Sequence, residues 1–131
     1  MDQKVAVARA REATGTGDSI PAEVYRVRRL DRKDEFYYLI LFGKQPSTVA
    51  VATVNARTGD VENWARSPGI RPHFSIGSAE ARRLAGMPET ASVELVWKPC
   101  LGSRSPLYPL WEVRANGQTR HVDQQGNVKP A

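Results

Sequence analysis

The sequence has only one cysteine, Cys100, and two histidines, His73 and His121, among its 131 residues. A single cysteine excludes an internal disulfide framework and a cysteine-rich zinc site. A structural zinc site built on the two histidines would need carboxylates to complete it. We therefore expect no metal site, and nothing in the composition indicates a cofactor.

Long apolar runs are also missing. The run Leu39–Phe42 is far shorter than the roughly 20 residues that span a bilayer, so we expect no membrane span. The amino-terminal residues Met1-Asp2-Gln3-Lys4 do not begin a secretory signal. The localisation stays open, because the chain is cytoplasmic as the sequence stands and extracytoplasmic if a signal has been removed.

The sequence contains no recognisable catalytic motif. It has no glycine-rich phosphate loop, no serine elbow and no helix with paired histidines. Cys100 is expected to be a half-buried, inert thiol in a loop, and His121 a cross-strand residue on the surface of a strand. We predict that the chain is not an enzyme.

Positive charge is in modest excess, with a net charge of +5 and a pI near 9.7. Such a charge permits binding to nucleic acid, but the excess is spread over both halves of the chain. Its densest cluster, Arg26–Lys33, has the pattern of a strand running into a turn, with Arg26 and Arg28 on one face. We interpret this face as solvated. A phosphate-binding strip is a weaker alternative, because few aromatic residues alternate with the arginines, and a protein partner that carries negative charge is the third.

The residue pattern predicts two helices and a series of strands. Asp2 and Gly15 are suited to cap the first helix, which ends at Thr14. The run Phe36–Phe42 is apolar on both faces and predicts a central strand, with Tyr37 and Tyr38 on opposite sides. The other predicted elements are a helix at Ser78–Leu84 and strands at Glu23–Leu30, Thr48–Asn55, Val61–Trp64, Ser92–Trp97, Leu107–Arg114 and Gln118–Val122.

The order of these elements predicts an internal repeat, in which a helix is followed by several strands twice. The phrases that begin at Val54 and Val122 recur at a spacing of about 68 residues, and repeats of this kind indicate duplicated structural units. The segment Ser67–Pro72 contains two prolines and a glycine, which is typical of a linker. We therefore predict a first half at 1–66, a linker at 67–75 and a second half at 76–131, with the two halves sharing one core.

The two recurring phrases resemble the ending of PepSY domains, a hydrophobic strand followed by a D-x-x-[ST]-G-[DE]-V hairpin. They are Val54-Asn55-Ala56-Arg57-Thr58-Gly59-Asp60-Val61 and Val122-Asp123-Gln124-Gln125-Gly126-Asn127-Val128. The segment Ser78–Ala85 is similar to the family's opening helix, and Tyr108–Val113 to its central aromatic strand. Asn55 departs from the family's aspartate, and the second phrase is one residue shorter.

The resemblance implies an α+β fold of two repeated helix-plus-antiparallel-sheet halves, PepSY-like and cystatin-like. It implies no catalytic residues, since such domains are regarded as binding or inhibitory modules, often outside the cytoplasm. Exposed sheet edges can also recruit a peptide or a second copy of the chain, so a homodimer is compatible with this architecture.

We predict a non-enzymatic binding or inhibitory module that recognises a protein or peptide partner. The candidate partner-binding residues are Trp97, Arg104 and Tyr108 around the Pro99–Pro106 loop, together with Arg26 and Arg28. Tryptophan, tyrosine and arginine contribute most to interface energies. The alternatives are a bacterial immunity or inhibitor protein that caps another protein's active site and, with less support, a basic nucleic-acid-binding protein.

Overall fold

The computed structural model describes residues 2–44, 46–67 and 71–131. It divides into two compact units, Met1–His73 and Phe74–Ala131. The first unit contains α1 (Gln3–Thr14), β1 (Ala22–Arg29), β2 (Phe36–Phe42), β3 (Ala50–Asn55) and β4 (Val61–Arg66). The second contains α2 (Ser78–Leu84), β5 (Ser92–Trp97), β6 (Leu110–Ala115), β7 (Gln118–Val122) and β8 (Val128–Pro130). The predicted α+β class is confirmed.

Both ends of α1 are capped by residues near it in sequence, as the sequence predicts. The Asp2 side chain accepts a hydrogen bond from the Lys4 N–H at 2.9 Å, which satisfies one amide of the first turn. Gly15 ends the helix in the left-handed conformation at φ 69°. Arg66 of β4 donates to the Thr14 carbonyl at 2.6 Å, which places positive charge at the carboxyl end of the helix.

The first unit has its core between α1 and one face of an antiparallel sheet with strand order β4-β3-β2-β1. Small residues on the helix, Ala6 and Ala10, allow it to lie close to the strands. They pack with Ile40, Phe42, Ala50, Ala52 and Val54. Tyr38 lies partly buried on the same face, whereas Tyr37 on the other face is fully buried. The two tyrosines lie on opposite faces of β2, as predicted, and they differ in burial.

The second unit has strand order β5-β6-β7-β8, also antiparallel, and α2 contacts β6. Asn116 and Gly117 connect β6 to β7, and both have positive φ, at 53° and 75°. Two consecutive left-handed residues form the type I′ turn that matches the twist of a hairpin. The Trp111 indole N–H donates to the Ile76 carbonyl at 2.7 Å, which ties the segment before α2 to the sheet.

Two strands begin later than the sequence predicts. Thr48 lies outside β3, because its N–H donates to the Arg71 carbonyl and its hydroxyl accepts from the His73 N–H. Leu107 lies outside β6, because a turn between Ser105 and Tyr108 holds the chain away from the strand ladder. In both cases hydrogen bonds outside the sheet have replaced the expected pairing.

The division between the two units falls inside the predicted linker, residues 67–75, of which residues 68–70 lie outside the described residues. The shared core expected for the two halves stays a prediction. Within the described ranges, neither helix has the length and apolar character that a membrane crossing requires.

Candidate functional site

The segment 98–109 connects β5 to β6 and is called the 98–109 loop below. Ser103 is buried at its centre, and its hydroxyl accepts the Trp97 indole N–H at 3.1 Å. The same hydroxyl donates to the Tyr108 carbonyl. Cys100 and Ser103 exchange two backbone hydrogen bonds, each 3.1 Å long. The loop therefore has an internal framework although it contains no helix or paired strand.

The outer surface of this loop carries apolar side chains beside a cation. Leu101 is 81% exposed and Tyr108 is 48% exposed, and Arg104 between them is exposed as well. A hydrophobic side chain left in water at this level marks a candidate interaction surface when others lie near it in the chain. The structure thus places Arg104 and Tyr108 at the surface of one loop, and adds Leu101, which the sequence interpretation did not include.

Trp97 lies inside the loop and not at the surface, where a partner would contact it directly. Its side chain is only 4% exposed, and its N–H is bound to Ser103. A buried indole normally finds such a hydrogen-bond partner, because leaving the N–H unpaired is costly. Trp97 therefore supports the loop from inside, and Leu101 is the exposed apolar residue of the loop.

Arg26 and Arg28 belong to β1 in the first unit. Arg26 is exposed, and its guanidinium lies 3.7 Å from the centroid of the Phe36 ring, within cation–π distance. Arg28 is half-buried. Arg26 lines a cavity of about 620 Å³ with Lys33 and Arg57, and Asp34 and Glu35 line the same cavity. Cations and carboxylates are therefore mixed around Arg26.

Neighbouring arginines are also neutralised. Arg29 donates to both carboxylate oxygens of Asp31, at 3.0 Å and 2.9 Å. This bidentate bond holds the pKa of the Asp31 carboxyl below its usual range. Arg32 forms a longer ion pair with Glu35 at 3.5 Å. The cluster Arg26–Lys33 therefore carries its own counter-charges, which weakens the case for a phosphate-binding strip.

His121 corrects one expectation directly. It is only 6% exposed, and its Nε2 lies 2.9 Å from Oε2 of Glu112, which is itself 4% exposed. Arg114 binds the other oxygen of the Glu112 carboxylate. The surface position expected for His121 is wrong, because its strand has polar residues on both faces and the alternation does not identify the buried one. Cys100 is half-buried, as expected.

The two recurring phrases each form a turn held by a side-chain oxygen. In the first unit, Asn55 Oδ1 accepts the N–H groups of Arg57 and Thr58 at 2.9 Å and 3.0 Å, and Gly59 has φ 79°. In the second unit, Asp123 Oδ1 accepts the N–H groups of Gln125 and Asn127, also at 2.9 Å and 3.0 Å, and Gly126 has φ 86°. These are Asx turns closed by a left-handed glycine.

Comparison of the chain with known protein families, characterised proteins and solved structures finds no match. The interpretation of the site therefore depends on the geometry above.

Proposed function

We propose that the chain is a non-enzymatic binding module and that it recognises a protein or peptide partner through the outer surface of the 98–109 loop. The observation that carries this proposal is the exposure of Leu101 and Tyr108 on a loop whose interior is buried and hydrogen-bonded. A loop of 12 residues gains no stability from large apolar side chains that point into water. Binding of a partner that covers them is favoured by a free energy of roughly 25 cal/mol for each Å² of apolar surface removed from solvent.

The internal framework of the loop favours binding because less order has to be imposed when a partner arrives. The Trp97–Ser103–Tyr108 hydrogen bonds and the Cys100–Ser103 backbone pair restrict the loop before binding. Preorganisation of this kind raises affinity by lowering the entropic cost of association. Leu101 and Tyr108 are thus presented on a supported surface.

The side chains also define the chemistry of the partner. Tyr108 and Arg104 belong to the residue types that most often dominate binding energies, and Leu101 adds an apolar contact. We infer a partner surface with an apolar pocket next to a carboxylate that pairs with Arg104. A partner enzyme that loses activity when bound would place this module in the inhibitory class, to which an immunity protein belongs.

We also propose that the two units are repeats of one PepSY-like, cystatin-like design. Each unit has a helix followed by four antiparallel strands, and each contains an Asx turn closed by a left-handed glycine. The turns occur at the two phrases on which the resemblance is based, with Asn55 and Asp123 in the same role. The absence of catalytic residues in that family agrees with a binding function.

The test is affinity capture with the whole chain as bait, in the presence of nuclease and at about 150 mM salt. The bait is compared with the variant Leu101→Ala/Tyr108→Ala and with Trp64→Ala, which removes a comparably exposed aromatic residue from the first unit. A partner that the wild type and the Trp64→Ala variant retain is then purified, and its dissociation constant is measured for all three.

We expect the loop variant to bind that partner about tenfold or more weakly, as for residues at the centre of an interface. The Trp64→Ala variant should bind like the wild type. Equal binding by the loop variant would overturn the proposal. Capture that disappears with nuclease would transfer the function to the basic surface around Arg26 and Arg28.

A further inference from the structure

A cavity of about 150 Å³ lies within the second unit, and residues of the 98–109 loop form part of its lining. It is lined by Lys98, Cys100, Leu110, His121, Asp123 and Lys129, among others. Cavities of this size accept a molecule about as large as benzene. None of the exposed residues of the proposed partner surface lines the cavity, so a site here is independent of the proposed function.

Asp123 is the residue that distinguishes this cavity from a packing defect. The side chain is only 2% exposed, and its Oδ2 is buried without a hydrogen-bond partner among the residues that the structure describes. A buried carboxylate oxygen loses the hydration it has in the unfolded chain, so an oxygen without a partner is costly. Native proteins keep few such atoms, and those that remain require an explanation.

The turn at Asp123 does not require this second oxygen. Asp123 Oδ1 alone holds the turn, by accepting two backbone N–H groups. In the first unit Asn55 holds a turn of the same kind with its single amide oxygen. An asparagine at position 123 would therefore satisfy the turn, and it would remove the buried oxygen that has no partner.

The surroundings of Oδ2 are also adapted to it. A β-carbon at position 102 would lie 2.5 Å from Asp123 Oδ2, closer than side-chain carbons approach other atoms. Gly102 therefore leaves the space that the carboxylate occupies. The φ angle of Gly102 is not in the left-handed region. The need for glycine at this position is therefore explained by the close approach of Asp123 and not by backbone strain.

The charges around the cavity indicate the class of ligand. Asp123 provides a negative acceptor, and the side chains of Lys98 and Lys129 provide two cations. A simple amine would be attracted by the first and repelled by the other two, and a simple acid would be repelled by Asp123. Leu110 and Pro130 supply an apolar wall.

We propose that this cavity binds a compact zwitterion, a small α-amino acid. Its ammonium group donates a hydrogen bond to Asp123 Oδ2, and its carboxylate is attracted by Lys98 and Lys129. Hydrogen bonds between charged groups are stronger than those between neutral ones, and they are strengthened by the burial of Asp123. A metal ion is not the expected ligand, because no three His, Cys, Asp or Glu residues of the described chain are grouped to hold one.

Cys100 provides a local measurement, because it lines the cavity and is the only cysteine in the chain. The rate at which iodoacetamide alkylates Cys100 is measured in the 131-residue chain by intact-mass spectrometry, at increasing concentrations of L-alanine. Propionate and ethylamine are the matched probes with only one of the two charges, each tested at constant ionic strength. At an alanine concentration about ten times its Kd, the alkylation rate should fall about tenfold.

Three variants separate the contributions. Asp123→Asn keeps the oxygen that holds the turn and should abolish protection by alanine. Lys98→Met/Lys129→Met should weaken protection by alanine and improve protection by ethylamine. Tyr108→Ala alters the proposed partner surface and no residue that lines the cavity, so protection should persist in this variant even if partner binding is lost.

Alanine that fails to slow alkylation of the wild-type protein would overturn the proposal. Protection that survives in the folded Asp123→Asn variant would overturn the role of Oδ2, and equal protection by alanine, propionate and ethylamine would overturn the zwitterion. If circular dichroism shows that Asp123→Asn is unfolded, Gly102→Ala serves instead. Its β-carbon displaces the carboxylate, and retention of protection in that variant would also contradict the proposal.

Discussion

His121 Nε2 lies 2.9 Å from Glu112 Oε2 across the β6–β7 pair, and both side chains are buried. Arg114 binds the remaining Glu112 oxygen from the more exposed side of the strand. The carboxylate thus links two residues of the second unit, and removing it leaves the His121 nitrogen buried without its partner. A buried polar group in that position costs more than the lost hydrogen bond alone.

We therefore expect Glu112→Ala to lower the free energy of unfolding by about 2–3 kcal/mol, within the range for stranding a buried polar group. Glu112→Gln should cost less, because its amide oxygen can still accept a hydrogen bond from His121. Urea denaturation followed by circular dichroism gives both values. Equal losses in the two variants would contradict the stabilising role assigned to the hydrogen bond between Glu112 and His121.

The bidentate pair between Arg29 and Asp31 predicts a dependence of stability on acid pH. The pair lowers the pKa of Asp31 in the folded state, so its contribution is present above the unfolded pKa of about 3.9 and is lost as pH falls through the folded pKa. We expect Asp31→Asn to lower the free energy of unfolding by about 1 kcal/mol near neutral pH, since the two side chains are partly exposed.

The difference between the wild type and Asp31→Asn should shrink as the pH is lowered below about 4. Urea denaturation at a series of pH values measures it. The matched control is Asp34→Asn, which removes a nearby carboxylate without breaking the bond to Arg29. A difference for Asp31→Asn that is constant from neutral to acid pH would contradict the assigned cause.

The elements whose bounds are predictable from the sequence are those determined by residues close together in the chain. The strand Phe36–Phe42 and the helix Ser78–Leu84 have the predicted bounds, because a run of apolar residues or a stop at Gly86 and Pro88 determines each of them. The caps at Asp2 and Gly15 are predicted for the same reason, and the turn at Asn116-Gly117 likewise depends on two adjacent residues. Each of these features depends on residues only a few positions apart.

Two features of the second unit could not be predicted, because each depends on residues that are distant in sequence. Burial of His121 requires Glu112 on the neighbouring strand, and the polar pattern of β7 does not reveal it. The buried Oδ2 of Asp123 faces Gly102, 21 positions away. The aspartate was predicted as part of a turn, and that part is confirmed, but its second oxygen carries no local signal.

The buried Tyr37 and the half-buried Tyr25 predict a second pH dependence, at the alkaline end. Burial raises the pKa of Tyr37 far above its usual value, and burial with a hydrogen bond to Glu23 raises the pKa of Tyr25 to about 12. Both shifts favour the neutral phenol in the folded state. Their contribution to stability is therefore complete below the unfolded pKa of about 10 and is lost as pH rises above it.

We expect the free energy of unfolding to decrease above about pH 10, and to decrease less steeply in Tyr37→Phe. Urea denaturation at alkaline pH measures the slopes, and tyrosinate absorbance in the folded protein shows whether Tyr37 ionises before unfolding. Identical slopes for the two proteins would mean that Tyr37 is accessible to water in a way its burial does not indicate.

The Ser103 hydroxyl gives a last prediction, which separates the support of the 98–109 loop from its contact surface. Ser103→Ala removes the acceptor of the Trp97 indole N–H and the donor to the Tyr108 carbonyl. Both atoms belong to a well-packed part of the loop, so we expect a loss of about 1–3 kcal/mol in the free energy of unfolding. Arg104→Ala, at an exposed position in the same loop, should change it by less than about 0.5 kcal/mol.

For binding of the partner, the order of the two effects should be reversed, with the larger loss of affinity in Arg104→Ala. Arg104→Ala should weaken binding of the partner and reduce its salt dependence, because it removes a charge from the contact surface. Ser103→Ala leaves every exposed side chain in place, so it should weaken binding only through a less ordered loop, with an unchanged salt dependence. Amide hydrogen exchange across residues 98–109 measures that order. Faster exchange together with wild-type affinity would show that the framework around Ser103 serves stability alone.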